Sequence, residues 1–272
     1  MRILAIGDVN GRAGRRVLQS ALPRLIVEHA ADLVVANVEN AADGFGVTPD
    51  LAEQMLAAGI DCMTSGNHIW DKPEIVPYLQ ESGRLLRPDN YPAGAPGRGV
   101  WVGATPGGVP VAVINLMGRV FMPPCDDPFR AADQALKAIA GKARVVLVDM
   151  HAEASSEKQA MAVHLDGRVS AVFGTHTHVP TADERILVGG TAYITDLGMT
   201  GPYDSVIGVE KELALRKFRT GMPVRFAIAR RDTRLCGALF DIDESSGRAR
   251  GIERIMVRAD AGAGGAGDAD AV

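Results

Sequence analysis

Short apolar runs recur along the chain, each closing in a polar loop, and most are followed by a stretch with helical spacing. Arg2 to Gly7 reads as a buried strand, and the helix after it carries Leu18, Leu22, Leu25 and Ile26 on one face. Pro23 is expected to break or kink that helix. Leu33 to Ala36 is a second strand, with Thr48 and Pro49 placed to cap and open the next helix. Ile60 to Thr64 is a third. Beyond Pro73 the pattern loosens into a helix, a loop rich in Gly and Pro from Pro88 to Gly99, and short strands including Val109 to Leu116. This predicts a lid-like excursion near 73–119 on the same domain rather than a linker.

Further on, the pattern predicts a helix around Ala131 to Ala140, a strand over Ala143 to Met150, and a helix capped by Ser155 or Ser156. Strands follow over Val169 to Phe173 and Ala192 to Thr195. Pro223 to Ala229, Arg234 to Ile242 and Ala249 to Val257 predict antiparallel strands completing a second sheet. Strands alternating with helices point to a single α/β domain over 1–258. The Ala/Gly/Asp-rich end, 259–272, predicts a disordered tail.

With 272 residues, 47% of them hydrophobic, the chain can bury a large core. A formal charge of -4 and no evident Lys/Arg cluster give no footprint for long nucleic acid, and favour a small anion held by metal. Cys62, Cys125 and Cys236 are odd in number and widely spaced, which predicts reduced thiols rather than a disulfide framework or a zinc ribbon. Met1 runs directly into an apolar strand and no apolar run reaches membrane-spanning length, so the expectation is a soluble cytoplasmic protein with no membrane partner. A homo-oligomer is left open.

The chemistry lies where strands end. Asp8 follows the first strand, Glu39 and Asn40 the second, Asn67 and His68 the third, His151 a later one, and His176 and His178 flank Thr177 after another. Such loops are where open α/β sheets place their ligands. Imidazole, carboxylate and carboxamide without thiolate suit a transition metal. Asp8 could equally cap a helix. Glu153, near His151, is either an outer support or simply solvated. His29 and His164 fall in helical stretches with no ligand-type company. The Gly7, Gly11, Gly14 spacing invites a dinucleotide loop, but Asp8 would set a negative charge beside the pyrophosphate, which argues against a nicotinamide-dependent oxidoreductase.

The series Gly7-Asp8, Glu39-Asn40, Gly66-Asn67-His68, His151 and Gly174-Thr175-His176-Thr177-His178 resembles the calcineurin-like metallophosphoesterase signature. The runs Asn40 to Gly46, Gly66 to Lys72 and Thr195 to Tyr203 resemble more closely its bacterial YmdB-type branch of 2′,3′-cyclic-nucleotide phosphodiesterases. Where the superfamily begins Asp-x-His, this chain has Asp8-Val9-Asn10, and Glu39-Asn40 replaces Gly-Asp-x-x-Asp.

The resemblance implies a four-layer α/β/β/α sandwich with mixed sheets and two metal ions, Fe or Mn with Zn as a third option. By the same resemblance site one would use Asp8, Glu39, Asn40 and His178, and site two Glu39, Asn67, His151 and His176, with Glu39 as bridge. The implied reaction is attack by a metal-bridging hydroxide on a small phosphodiester or cyclic nucleotide (2′,3′-cyclic AMP and in reach 3′,5′-cyclic AMP), with His68 as the acid. Arg119, Thr200 and Tyr203 are candidate substrate contacts. The competing expectation is a metal-containing regulatory or scaffold protein that binds nucleotide with little turnover.

Overall fold

The structure, a computed structural model, describes residues 1–259. The expected tail lies outside the described residues except for Ala259, whose amide donates to the Thr233 carbonyl at 2.9 Å. The first half contains β1 (Arg2–Ile6), α1 (Gly11–Glu28), β2 (Leu33–Asn37), α2 (Pro49–Ala57), β3 (Cys62–Thr64), α3 (Ile75–Glu81), β4 (Val100–Ala104) and β5 (Pro110–Met117). There follow α4 (Pro128–Ala138), β6 (Val145–His151), α5 (Ser155–Leu165), β7 (Ala171–Thr175), β8 (Arg185–Ile186), β9 (Ala192–Ile194), β10 (Gly201–Pro202), α6 (Lys211–Thr220), β11 (Thr233–Ile242) and β12 (Ala249–Arg258).

Two mixed sheets result. One runs β10-β11-β1-β2-β3 with β12 also on β11, the other β4-β5-β6-β7-β9-β8. Period-two alternation explains the layers. Ile3 and Ala5 of β1 face an apolar layer between the sheets, together with Val35, Val113, Leu147 and Phe173. Leu4 and Ile6 face outward onto Leu18 and Leu22 of α1 and Met55 of α2. On the far side Ile114 and Val148 meet Ala132 of α4 and Met161 of α5. The order helix, sheet, sheet, helix is the four-layer α/β/β/α sandwich with mixed sheets. Because β1, β2 and β3 are mutually parallel, as are β5, β6, β7 and β9, each set delivers its following loops to one rim.

Several local expectations are corrected. Helix α1 runs through Pro23, whose ring stands on the exposed face while Leu18, Leu22 and Leu25 hold the other against the sheet. Neither Ser155 nor Ser156 caps α5; the cap position is Ala154, which makes no side-chain cap bond. Pro223 to Ala229 is no strand: one bridge, Val209 to Ile228, is its sheet-like pairing, and Pro223 has no amide to offer a ladder. Strands β11 and β12 do pair antiparallel, but they extend the N-terminal sheet through β1 instead of completing the second. Helix α6 is an element that the hydrophobic pattern did not suggest.

The Gly/Pro-rich loop is pinned to the body. Leu85 to Pro88 are buried, the Arg87 side chain donates to the carbonyls of Pro88 and Pro96, and Asn90 donates to the Met117 carbonyl at 2.7 Å. All three cysteines are free thiols. Among the described residues no helix is long and apolar enough to cross a membrane.

Candidate metal centre

Seven of the eight candidate site residues converge at the rim, drawn from both sheets. His151 is the hub. Its Nε2 lies 3.1 Å from Glu39 Oε1, 3.1 Å from His176 Nδ1 and 3.2 Å from Asn67 Oδ1. Glu39, His151 and His176 form a group able to hold a metal ion, with their ligand atoms all within 4.8 Å of one another. Beside it, His178 Nε2 lies 3.1 Å from Asn40 Nδ2 and 3.9 Å from Asp8 Oδ1. Asp8 Oδ2 accepts the His176 amide at 3.2 Å, and Asn40 Nδ2 sits 3.4 Å from Glu39 Oε1, which joins the two groups.

His68 stands at the edge, with its side chain outside the cluster. Its amide donates to Glu39 Oε2 at 3.1 Å, while its Nδ1 meets Asp71 Oδ2 at 2.7 Å.

The histidines are oriented from behind. Each has one ring nitrogen bonded away from the centre: His151 Nδ1 to Thr175 Oγ1 at 2.9 Å, His176 Nε2 to Glu153 Oε2 at 3.1 Å, and His178 Nδ1 to the Ile207 carbonyl at 2.8 Å. An outward N–H fixes the tautomer and leaves the other nitrogen as a lone-pair donor facing inward. Thr175 passes its own hydroxyl proton to buried Asp149 at 2.7 Å, and Thr64 donates to the same carboxylate at 2.5 Å. The loop between the last two histidines is anchored by Asp196. Its carboxylate accepts from the Thr177 amide and hydroxyl and pairs with fully buried Lys158 at 2.7 Å. His176 and His178 both adopt positive φ, 99° and 65°, a region costly for residues with a Cβ.

Sequence reading missed Asp149, Thr64 and Lys158 because they lie inside strands and a helix, where polar side chains look incidental. Glu153 is not merely solvated. Asn10, in sequence only a departure from the superfamily motif, is buried, and its Oδ1 finds no hydrogen-bond partner among the described residues. Thr200 and Tyr203 are removed as substrate contacts: both hydroxyls turn inward to β11, to the Cys236 carbonyl at 3.2 Å and the Cys236 thiol at 2.9 Å. Arg119 is exposed, with Asp127 at 3.9 Å.

The electrostatics call for a cation. Glu39 Oε1, Asn67 Oδ1, His151 Nε2 and His176 Nδ1 all bring lone pairs toward one point. Burial alone would lower the His151 pKa, but the charge and hydrogen bond of Glu39, then Asp8 and Asp149, push it up to about 9. Burial would raise Glu39, yet His151 holds it at about 2. Burial, then repulsion from His151, takes His176 down to about 3. One proton therefore occupies the position that several acceptors share, and ligation must displace it. Metal uptake at neutral pH is expected to release that proton. Apparent affinity then rises by about tenfold per pH unit per proton below the His151 pKa. Calorimetric titration of metal-free protein in buffers of different ionisation enthalpy reads this directly; a buffer-independent heat would contradict it.

Gly66 permits the close approach. A Cβ there would collide with the His151 ring and lie 2.5 Å from Glu39 Oε2. Gly66→Ala is therefore expected to cost about 1–3 kcal/mol of stability and to lower metal content, by overpacking. Thermal unfolding with metal analysis checks both, and wild-type behaviour in both would refute the packing argument.

Comparison with known proteins agrees with this architecture. A Bacillus subtilis (strain 168) protein named 2′,3′-cyclic-nucleotide 2′-phosphodiesterase is 47% identical over 261 residues, covering 96% of this chain and 98% of its own. A crystal structure of a hypothetical protein from Thermus thermophilus superposes with TM-score 0.88 at 45% identity, over 95% of this chain and 99% of that one. The crystal structure of a Mycoplasma pneumoniae protein described as a novel phosphatase gives TM-score 0.89 at 34% identity, over 95% and 93%. The model of the YmdB-like protein family matches residues 4–255, a span that holds every residue of the rim cluster, and the chain belongs to that family.

Proposed function

We propose that the protein is a phosphodiesterase that hydrolyses small 2′,3′-cyclic nucleotides at a dinuclear metal centre. The observation that carries this reading is the inward aim of three imidazole nitrogens beside Glu39, Asp8 and two carboxamides, each ring held from outside by a hydrogen bond. The similarity to the Bacillus subtilis phosphodiesterase supports the substrate class.

Asp8, Glu39, Asn40 and His178 would hold one ion, and Glu39, Asn67, His151 and His176 the other. Nitrogen and oxygen donors without thiolate favour Fe or Mn, with Zn admissible. Such a pair supplies positive charge against phosphate oxygens and makes water nucleophilic at neutral pH. The chain's own work is to aim and to move a proton. Asp71 holds His68 through Nδ1, which leaves Nε2 as the nitrogen that would serve the departing oxygen. As water oxygen bonds to phosphorus and one ring P–O bond breaks, protonated His68 gives its Nε2 proton to the ribose oxygen.

The test is turnover of 2′,3′-cyclic AMP by metal-loaded protein, with 3′,5′-cyclic AMP in parallel. Release of a nucleoside monophosphate, abolished by chelation and restored by Mn²⁺ or Fe²⁺, is expected. Nucleotide binding without turnover would overturn the enzymatic reading in favour of a regulatory one.

A further inference from the structure

Beside the ligand rim lies a cleft of about 660 Å³ that the proposed reaction on a mononucleotide leaves unexplained. Arg12 and Phe45 line it from the body of the domain, and Arg225, Phe226 and Arg230 from the segment after α6. It connects directly to the site. The Phe45 ring meets His68 edge-on, centroids 5.0 Å apart, and the amide of Gly11, another wall residue, donates to the Asn40 carbonyl at 2.8 Å.

The outer wall is fastened down. Ala229 donates to the Gly208 carbonyl at 2.9 Å, Glu210 to the Ala227 carbonyl at 3.0 Å, and Ile228 packs so closely over Gly44 that a Cβ there would collide with it. Neighbouring Ile207 carries the carbonyl that orients His178.

From the cleft a basic stretch of chain leads back to α6, whose cap residue Glu210 also lines the cleft and whose cations are distributed around the helix. Between Glu210 and Arg231 the cations Lys211, Arg216, Lys217, Arg219, Arg225, Arg230 and Arg231 stand against two carboxylates, Glu210 and Glu212, in a chain whose net charge is -4. Lys211 pairs with Asp204. The other six side chains make no ion pair among the described residues. Aromatic and apolar groups are interleaved with them: Phe218 is 82% exposed, and Leu215 and Met222 are also exposed. The near-balanced overall charge hid this concentration from composition.

Guanidinium groups with interleaved aromatic rings fit a flexible polyanion carrying planar bases. A ribose 2′,3′-cyclic phosphate needs a 2′-hydroxyl, so a polymer bearing one is RNA, at its 3′ end. Asp43 and Glu210, which also line the cleft, suit base amino groups and ribose hydroxyls. A flat anionic bilayer would leave the arginines inside the cleft unused.

Resting on the cyclic-nucleotide reading, we propose that the substrate class extends to single-stranded RNA ending in a 2′,3′-cyclic phosphate. The terminal ring sits at the ligand rim, the preceding nucleotide lies in the cleft against Phe45 and Phe226, and upstream phosphates run along Arg225, Arg230 and α6. Water oxygen adds to phosphorus, one ring P–O bond breaks, the freed ribose oxygen takes the proton, and the RNA keeps a terminal phosphomonoester.

The experiment compares metal-loaded wild type with an Arg216→Ala, Lys217→Ala, Arg219→Ala variant on 2′,3′-cyclic AMP and on a hexaadenylate with a 2′,3′-cyclic end. Wild type is expected to favour the hexamer by about tenfold or more in kcat/KM at low salt, an advantage that falls as salt rises. The variant should lose that advantage while its mononucleotide turnover stays within about twofold. A wild type that turns over cyclic AMP but not the hexamer any better, or a variant equally impaired on both, overturns the proposal. So does a variant that instead loses self-association or binding to phosphatidylglycerol vesicles with hexamer turnover intact. If neither substrate is hydrolysed, the reading of the site has failed. Fluorescence anisotropy of labelled hexamer then decides the surface alone, with tight binding lost in the variant in its favour and no binding against it.

Discussion

Replacing Glu39 with alanine is expected to empty both cation positions and to reduce turnover by at least about 10³-fold, roughly 4 kcal/mol of transition-state stabilisation. The residue is 1% exposed and serves three neighbours: Oε1 faces His151 and Asn40, and Oε2 accepts the His68 amide. Without it, His151 loses the partner that keeps it charged in the metal-free protein, and the partly buried His68 amide loses its acceptor. Asn40→Ala should behave differently, since Asn40 adjoins His178, which itself lies beside Asp8, rather than the His151 hub. There the expected loss is confined to one metal per chain. Metal stoichiometry by plasma mass spectrometry, with circular dichroism to confirm folding, separates the two. Loss of both metals in the Asn40 variant would show that the ligands are divided wrongly between the sites.

His68→Ala is expected to retain both metals and to lose about 10²–10⁴-fold in turnover of 2′,3′-cyclic AMP. Its side chain contacts Asp71 and Phe45, and only its backbone amide reaches Glu39, so the ligand cluster survives the substitution. Proton donation matters most when the departing oxygen is strongly basic. An aryl phosphodiester with an acidic phenol as leaving group should therefore lose far less activity than the cyclic nucleotide. An equal loss on both substrates would remove His68 from the role of acid and leave it a purely electrostatic or positioning part.

How much of this was readable beforehand depends on whether the signal was local. Strand faces were legible because alternation acts over neighbouring residues, as with Ile3 and Ala5 facing one layer and Leu4 and Ile6 the other. Thr48 and Pro49 were legible as a helix start for the same reason: the Thr48 hydroxyl accepts the Leu51 amide. Ligand-type residues at strand ends were visible as a series, since parallel strands must send their loops to one side.

What stayed hidden was pairing across the fold. Nothing near Thr175 announces that it links His151 to Asp149, and nothing near Glu153 announces His176. The segment from Pro223 to Ala229 resembles a strand because Val224, Phe226 and Ile228 alternate with other residues, but such a pattern becomes a strand only when a partner offers a ladder. The basic stretch around α6 does not show in the net charge because carboxylates elsewhere in the chain offset it, whereas a polyanion meets only part of the surface.

The left-handed backbone at His176 and His178 carries a consequence for how this sequence can vary. Glycine would sit more comfortably at either position, gaining about 1 kcal/mol per residue, yet would delete an imidazole. The sequence that folds best and the sequence that holds its ions therefore differ at these two sites. Drift toward greater thermal robustness would pass through forms that keep the sandwich and lose the chemistry, so only selection on the reaction itself can retain both histidines.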